Sequence, residues 1–300
     1  MGERRRKWAL IASATAGGIG EAYAITFRRR GVNVIAAAAD TNGMEYLEPE
    51  KGSDDGFLIT LELDATSASS IAAAVQQIRQ LTDGTLDFLI NCCDSAYYVP
   101  LMDADIEQAK SQYEVCVWGL LAVTQAVFPL LRDVRGMVVN HSSVAGLQGS
   151  NRPFAGIDAS ANAAILHLSS TMRVELEPFG IRVVALVSGA VQTEVLDHVT
   201  GGGVPEQSAY FPIKDEIEQV MSAYSANKGR DRYQVATETI DQLLSETPPL
   251  VIRKGYMASL SALLYWLVPT WILDSWAIKQ GRLDRLKLLL SGSVEEKKDE

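Results

Sequence analysis

Three cysteines and three histidines leave this 300-residue chain poorly supplied with metal ligands. Cys92, Cys93, Cys116, His141, His167 and His198 fall at no spacing that a metal site uses, so no metal is expected. The cysteines are also too few for a disulfide framework, which points to a reducing, intracellular compartment. Positive charge is in deficit as well. A net charge of -10, with no basic stretch interleaved with aromatics, argues against nucleic acid as a partner. The apolar run near the C-terminus is broken by Pro269 and Asp274 before it reaches the roughly twenty residues that a membrane span needs. The basic start, Arg4-Arg5-Arg6-Lys7, leads into a short apolar stretch that breaks at Gly17-Gly18, and this does not read as a signal peptide. Arg6 stands where a myristoylation motif requires Ser or Thr. No internal repeat is present.

What is there is enough for one large α/β domain: 47% of the residues are hydrophobic. Apolar stretches predict strands over 8–13, 31–40, 56–64, 86–90, 136–141, 181–187 and 250–252. Helices are predicted from the turn 14–20 to about Arg30, from a cap at Thr66 or Ser67 to about Leu81, from the Asp158 region to a stop at Gly180, and near 234–244. This alternation gives a doubly wound parallel sheet with helices on both faces. Right-handed crossovers then bring the carboxyl ends of the strands to one edge, where such folds bind ligands.

Three segments meet at that edge. The turn after the first strand is Ser13-Ala14-Thr15-Ala16-Gly17-Gly18-Ile19-Gly20, the fifth strand runs into Ser142-Ser143-Val144-Ala145-Gly146, and the next helix opens on Asp158-Ala159-Ser160-Ala161-Asn162. Over about residues 8–255 the chain resembles the short-chain dehydrogenase/reductase family, whose Rossmann-like sheet carries Thr-Gly-x-x-x-Gly-x-Gly, a catalytic Ser and Tyr-x-x-x-Lys. The resemblance implies NAD or NADP as cofactor. It implies cofactor contacts at Ser13, Gly18, Ile19, Gly20, Asp64 (beside the adenine), Asn91 and Thr193 (at the carboxamide), and a catalytic set at Ser143, Asp158, Asn162 and Cys116.

The departures from the family pattern bear on chemistry. Asp158 replaces the Tyr, Asn162 the Lys and Cys116 the fourth catalytic residue, an Asn. The i, i+4 spacing keeps Asp158 and Asn162 on one helix face, but the usual proton relay is gone. Asp158 is expected to be ionised at neutral pH unless buried. The lining is expected to be acidic and neutral, with no cation. Cys116 is expected to act as a small buried hydrophobe, a nucleophilic thiol requiring a base or cation beside it. Ala14 replaces the first Gly of the loop, a poor exchange if that position requires a positive φ. Ala38 and Ala39 offer no charge to the ribose, Asp40 is expected to start a turn, and Asp94 and Cys93 crowd the cleft, all departures expected of a site that has lost its cofactor. The loop from Ser143 to Asp158 is two residues longer than the family's, through Asn151-Arg152.

The expected organisation is a reductase-type domain over 1–255 with a substrate lobe at about 194–235, an apolar helical extension over 256–290 and a charged tail over 291–300. The extension resembles that of NADPH-dependent acyl-dihydroxyacetone-phosphate reductases, which act on lipid. Pro269 and Asp274 interrupt its apolar run, while Trp266, Trp271 and Trp276 lie between basic flanks. Residues 257–278 are therefore expected to touch a membrane surface peripherally, or to pack within the domain or across a homo-oligomer. The expected location is cytoplasmic, or peripheral at the endoplasmic reticulum or lipid droplets. Three functional readings stand, in this order: a non-redox catalyst (isomerase, dehydratase or cyclase) acting on an apolar small molecule, a binding protein without catalysis, and an NAD(P)H-dependent carbonyl reductase with another proton donor.

Overall fold

The computed structural model of the chain describes residues 5–42, 44, 55–92, 95–193, 203–225 and 229–296. The expectations at Cys93 and Asp94, those for residues 194–202 of the lobe and those for the chain beyond 296 fall outside the described residues.

In chain order the sheet receives β1 (Trp8–Ala12), α1 (Ile19–Arg29), β2 (Asn33–Ala38), β3 (Leu58–Glu62), α2 (Ala68–Leu81) and β4 (Phe88–Asn91). Then come α3 (Ile106–Tyr113), a π-helical turn (Glu114–Trp118), α4 (Gly119–Arg132), β5 (Met137–Ser143), α5 (Gly156–Glu175) and β6 (Arg182–Ser188). The remainder is β7 (Val191–Gln192), α6 (Lys214–Ser225), β8 (Arg230–Asp231), α7 (Arg232–Leu243), β9 (Val251–Lys254), α8 (Ala258–Leu267), α9 (Thr270–Gln280) and α10 (Leu283–Glu296).

Seven strands pair in parallel in the order β3-β2-β1-β4-β5-β6-β9. Successive side chains of a strand point to opposite faces, so each strand feeds two cores. On one face Ile11, Val34, Ile90, Val139 and Leu186 pack with Tyr23 and Phe27 of α1 and Val235 and Ile240 of α7. On the other, Leu10, Ile35, Leu89 and Val138 pack with Ile78 of α2, Val127 of α4 and Ile165 of α5. The continuous helix Ile106–Arg132 is long and apolar enough to cross a membrane, but half of that stretch is buried and it walls this second core.

Local signals explain the boundaries. Ser67 caps α2 by accepting a bond from Ser70 N. Asp40 does start a turn, its Oδ1 accepting from Asn42 N at 2.9 Å. The helix expected to end at Gly180 stops as α5 at Glu175. A short 3-10 turn (Glu177–Phe179) follows, and Gly180 closes it in the left-handed conformation. The parallel pair β7–β8 has two residues per strand, too few for a periodic pattern to announce it.

One expectation about the glycine-rich turn is corrected. Ala14 does not carry a positive φ; its N–H donates to Ala37 O at 2.8 Å and prolongs the pairing of β1 with β2. The left-handed residue is Ser13, with φ of 67°. Gly20 is required for a different reason: a Cβ there would stand 2.1 Å from Ser13 O. Gly20→Ala is therefore expected to cost about 1–3 kcal/mol through overpacking. Urea unfolding measures it, and a change within a few tenths would refute the contact.

Candidate active site

The carboxyl ends of β5 and β6, the starts of α1 and α5, the π-helical turn, the end of α6 and the helices α8 and α9 enclose a cleft of about 510 Å³. Ile19, Cys116, Ser143, Asp158, Asn162 and Thr193 all line it. Ser13, Gly18, Gly20, Asp64 and Asn91 do not. Asn91 is turned into the core, where Nδ2 donates to Asn140 Oδ1 at 2.8 Å and Thr124 Oγ1 at 3.1 Å, tying β4 to β5 and α4. Asp64 Oδ1 accepts from Thr66 N and Oγ1 at 2.8 and 2.6 Å.

Asp158 lies in the first turn of α5 and is only 8% exposed. A carboxylate so placed gains from the helix dipole, an effect of roughly 0.3–1 kcal/mol at an exposed site. Burial outweighs this and raises the Asp158 pKa above the ordinary 3.8, with the Arg152 charge and the hydrogen bond from Gln112 pulling the other way. Gln112 Nε2 stands 3.4 Å from Oδ1, a weak bond. Asn162 Nδ2 donates to Asp158 O at 3.0 Å and to Oδ1 at 3.2 Å. Asn162 is itself held by Ser142, whose Oγ lies 2.9 Å from Asn162 O and 3.2 Å from Oδ1. Asn162 therefore positions Asp158 and supplies no charge. Ser143 Oγ accepts from Ala145 N at 3.1 Å and keeps its proton to donate into the cleft.

One expectation fails here, and the burial of Cys116 in the core agrees with the buried hydrophobe expected of it, although as a disulfide and not a free cysteine. The cleft does contain a cation, Arg152, whose guanidinium sits 4.2 Å from the centre of the Tyr224 ring. The β5–α5 loop places Arg152 on the cleft wall. Cys116 is disulfide-bonded, so it offers no thiol. Its sulfur lacks a proton, and the 3.8 Å approach to Ser95 O is a contact and not a donated bond. Pairing depends on tertiary proximity, which cysteine counting does not see.

Several lining residues escaped sequence reasoning. Tyr98 is buried, its phenol pushed up to about 12 by burial and then by Asp158, and its ring meets Tyr224 edge-on at 5.6 Å. Burial likewise raises the Tyr224 pKa against the pull of Arg152. Tyr256, Met257, Tyr265 and Trp276 close the cleft from the C-terminal side. The two extra residues at Asn151-Arg152 were the available signal for Arg152; aromatics scattered across distant segments gave none.

His141 on β5 also lines the cleft, its ring 5.9 Å from that of Tyr23. The residue keeps some exposure, but Nε2 is sealed and has no partner among the described residues. Burial pushes its pKa down to about 4.

The family model for short chain dehydrogenases matches residues 7–201. The chain is 34% identical over 277 residues to the short-chain dehydrogenase ptmH of Penicillium ochrochloron, covering 92% of this chain and 98% of that one. It is also 34% identical over 274 residues to the NADPH-dependent 1-acyldihydroxyacetone phosphate reductase of Schizosaccharomyces pombe, covering 84% and 87%. A short chain dehydrogenase from Burkholderia cenocepacia, solved in complex with NADP, superposes with a TM-score of 0.68 at 20% identity, over 91% of this chain and 98% of that one. Sheet order and these matches define a Rossmann-like α/β fold. The chain belongs to the short-chain dehydrogenase/reductase family.

The histidine yields a pH prediction. Between pH 6.5 and about 4 the unfolded chain takes up a proton at His141 that the folded chain refuses, so stability is full above 6.5 and lost as pH falls through that window. The loss attributable to this group is about 3 kcal/mol. His141→Leu should flatten that part of the stability–pH curve by a comparable amount. An unchanged curve would show the ring to be solvated.

Proposed function

We propose that this protein is a non-redox acid–base catalyst on the short-chain dehydrogenase/reductase scaffold, acting on an apolar small molecule that carries a carbonyl group. The observation that supports this reading is the burial of Asp158 in the cleft where the family has its Tyr. Burial raises the pKa of this carboxyl above that of an exposed one, which makes it a stronger base toward a substrate proton.

In the proposed reaction the Asp158 carboxylate takes a proton from a carbon next to the substrate carbonyl. The electron pair of the C–H bond moves to the carbonyl oxygen, which becomes an enolate. Ser143 Oγ–H and the Arg152 guanidinium stand on the cleft wall to stabilise that oxygen. Asp158 then returns the proton to another atom of the same substrate, so nothing is oxidised or reduced. Gln112 is suited to the protonated state. Its Oε1 is buried without a partner, and turning the amide over would let it accept from an Asp158 O–H. The aromatic wall of Tyr98, Tyr224, Tyr265 and Trp276 suits an apolar substrate.

Part of the chain still suits a nicotinamide dinucleotide. The Gly18 turn opens α1 as a helix start of the kind that binds anions, and one cleft joins Ile19 to Thr193. Such a cofactor would supply hydride transfer. A second reading rests on this cleft and on the NADPH-dependent relative: a carbonyl reductase in which protonated Asp158, rather than a Tyr, gives the proton to the substrate oxygen. At the ribose end Ala38 and Ala39 provide no charge, and Asn162 replaces the cation that the family's Lys would supply.

Titration with NADPH and NADH, followed by assay on carbonyl compounds, separates the readings. The proposal expects no substrate-dependent NADPH oxidation; robust oxidation selects the reductase. Once a turned-over substrate is in hand, Asp158→Asn is expected to lower kcat about 10²- to 10⁴-fold with the fold intact. Full activity in both Asp158→Asn and Ser143→Ala would end the proposal. Arg152 lowers the Asp158 pKa, so Arg152→Gln should move the acidic limb's midpoint in the kcat/KM profile, where the Asp158 base becomes protonated, to higher pH. A shift to lower pH would contradict the charge coupling.

A further inference from the structure

The helices after β9 expose much of their apolar surface. At the turn between α8 and α9, Trp266 is 81% exposed, Leu267 58% and Trp271 70%. Inward contact is narrow: only Leu273 and Ala277 of α9 and Ala258 of α8 are buried. The hairpin is nevertheless seated firmly. Gly149, with φ of +89°, lets Leu273 and Tyr265 approach the β5–α5 loop, where an added Cβ would lie 3.0 Å from Leu273 Cδ1. Asn151 Nδ2 donates to Asp274 Oδ1, and Pro153 packs where Gly281 leaves room. An apolar tip held out by a rigid base meets water unless something covers it.

Charge indicates what covers it. The hairpin itself is neutral, with Asp274 and Lys279, but the segment just after it adds Arg282, Arg285 and Lys287 against Asp284, so residues 257–290 carry 4 − 2 = +2 in a chain whose net charge is -10. Arg285 is paired with Glu216, but Lys279, Arg282 and Lys287 are exposed. A two-fold contact between copies brings each patch against itself, and here it would bring cations together. An anionic lipid surface complements both the tryptophans and the cations. The α8 helix has 10 residues, about 15 Å of rise, against a hydrocarbon core of about 30 Å, so the hairpin lies in the interface and does not span it.

We propose that the α8–α9 hairpin docks this protein on an anionic membrane surface, tip inward, with the mouth of the cleft facing the lipid. Tyr265 and Trp276 belong to the hairpin and also line the cleft, so an apolar molecule dissolved in the membrane has a short route to Asp158. That last step rests on the proposed catalytic reading; the docking does not.

Flotation with phosphatidylcholine vesicles, with and without phosphatidylserine, tests the docking. The full chain is expected to float with phosphatidylserine vesicles, less so at high salt, and with a blue shift in tryptophan fluorescence. The double variant Trp266→Ser with Trp271→Ser should lose at least tenfold in apparent vesicle affinity with unchanged circular dichroism and melting temperature. Lys279→Glu with Lys287→Glu should abolish the preference for phosphatidylserine. Asp158→Asn should bind as the unmodified chain does, which keeps docking distinct from chemistry. Absence of vesicle binding, or equal binding by the tryptophan double variant, would overturn the proposal. So would a lipid-free dimer that the double variant converts to monomer, because the face would then be a protein interface.

Discussion

A carboxyl group in the first turn of a helix ordinarily ionises, favoured by the exposed N–H groups and the dipole behind them. Asp158 is placed there and is also buried, and removing a charge from water is the larger effect. Its neighbours are arranged around that conflict. Asn162 and Gln112 bring neutral N–H donors to Oδ1, and Arg152 contributes positive charge through the electrostatics of the cleft. Ser142 fixes Asn162 from β5, so the register of the sheet sets the geometry of the acid. The family's Tyr and Lys place a phenol and an ammonium on the same helix face. On this helix face Asp158, an acid whose pKa burial raises, is followed one turn later by the neutral Asn162, and the cleft's cation Arg152 comes from a different segment.

That segment is the longer β5–α5 loop, and it couples the site to the C-terminal helices. Asn151 and Arg152 are neighbours in sequence with different tasks: one binds Asp274 of α9, the other enters the cleft over Tyr224. Gly149 and Pro153 fit against the same helices. Movement of the α8–α9 hairpin would therefore be felt at Arg152 and, through its charge, at Asp158. Few buried residues fasten the hairpin, so this coupling runs through polar contacts and close backbone approach more than through a shared core.

Much of this was legible in the sequence, because the signals were local. Strand positions follow from apolar runs, Ser67 and Asp40 announce their cap and turn, and the i, i+4 spacing puts Asp158 and Asn162 together. What was hidden depends on distance in the chain. The cation at Arg152 lay in view as part of an insertion, but its direction is set by packing against Tyr224. The disulfide at Cys116 depends on tertiary proximity, and the sealed Nε2 of His141 on the close approach of Tyr23. The positive φ at Ser13 rather than at Ala14 follows from one extra residue of β1–β2 pairing, which no glycine count predicts.

The proposed chemistry requires that burial make Asp158 hold its proton more tightly than an exposed carboxyl does. Carbon-13 NMR titration of the aspartate carboxyls, with Asp158 assigned by the loss of its signal in Asp158→Asn, measures this without knowledge of the substrate. Burial predicts a carboxyl that titrates above 3.8 and that moves higher still when Arg152 is replaced by Gln. A midpoint at or below 3.8 would mean that the carboxylate is solvated or fully paired, and the cleft would then lack the acid–base group on which the chemistry rests.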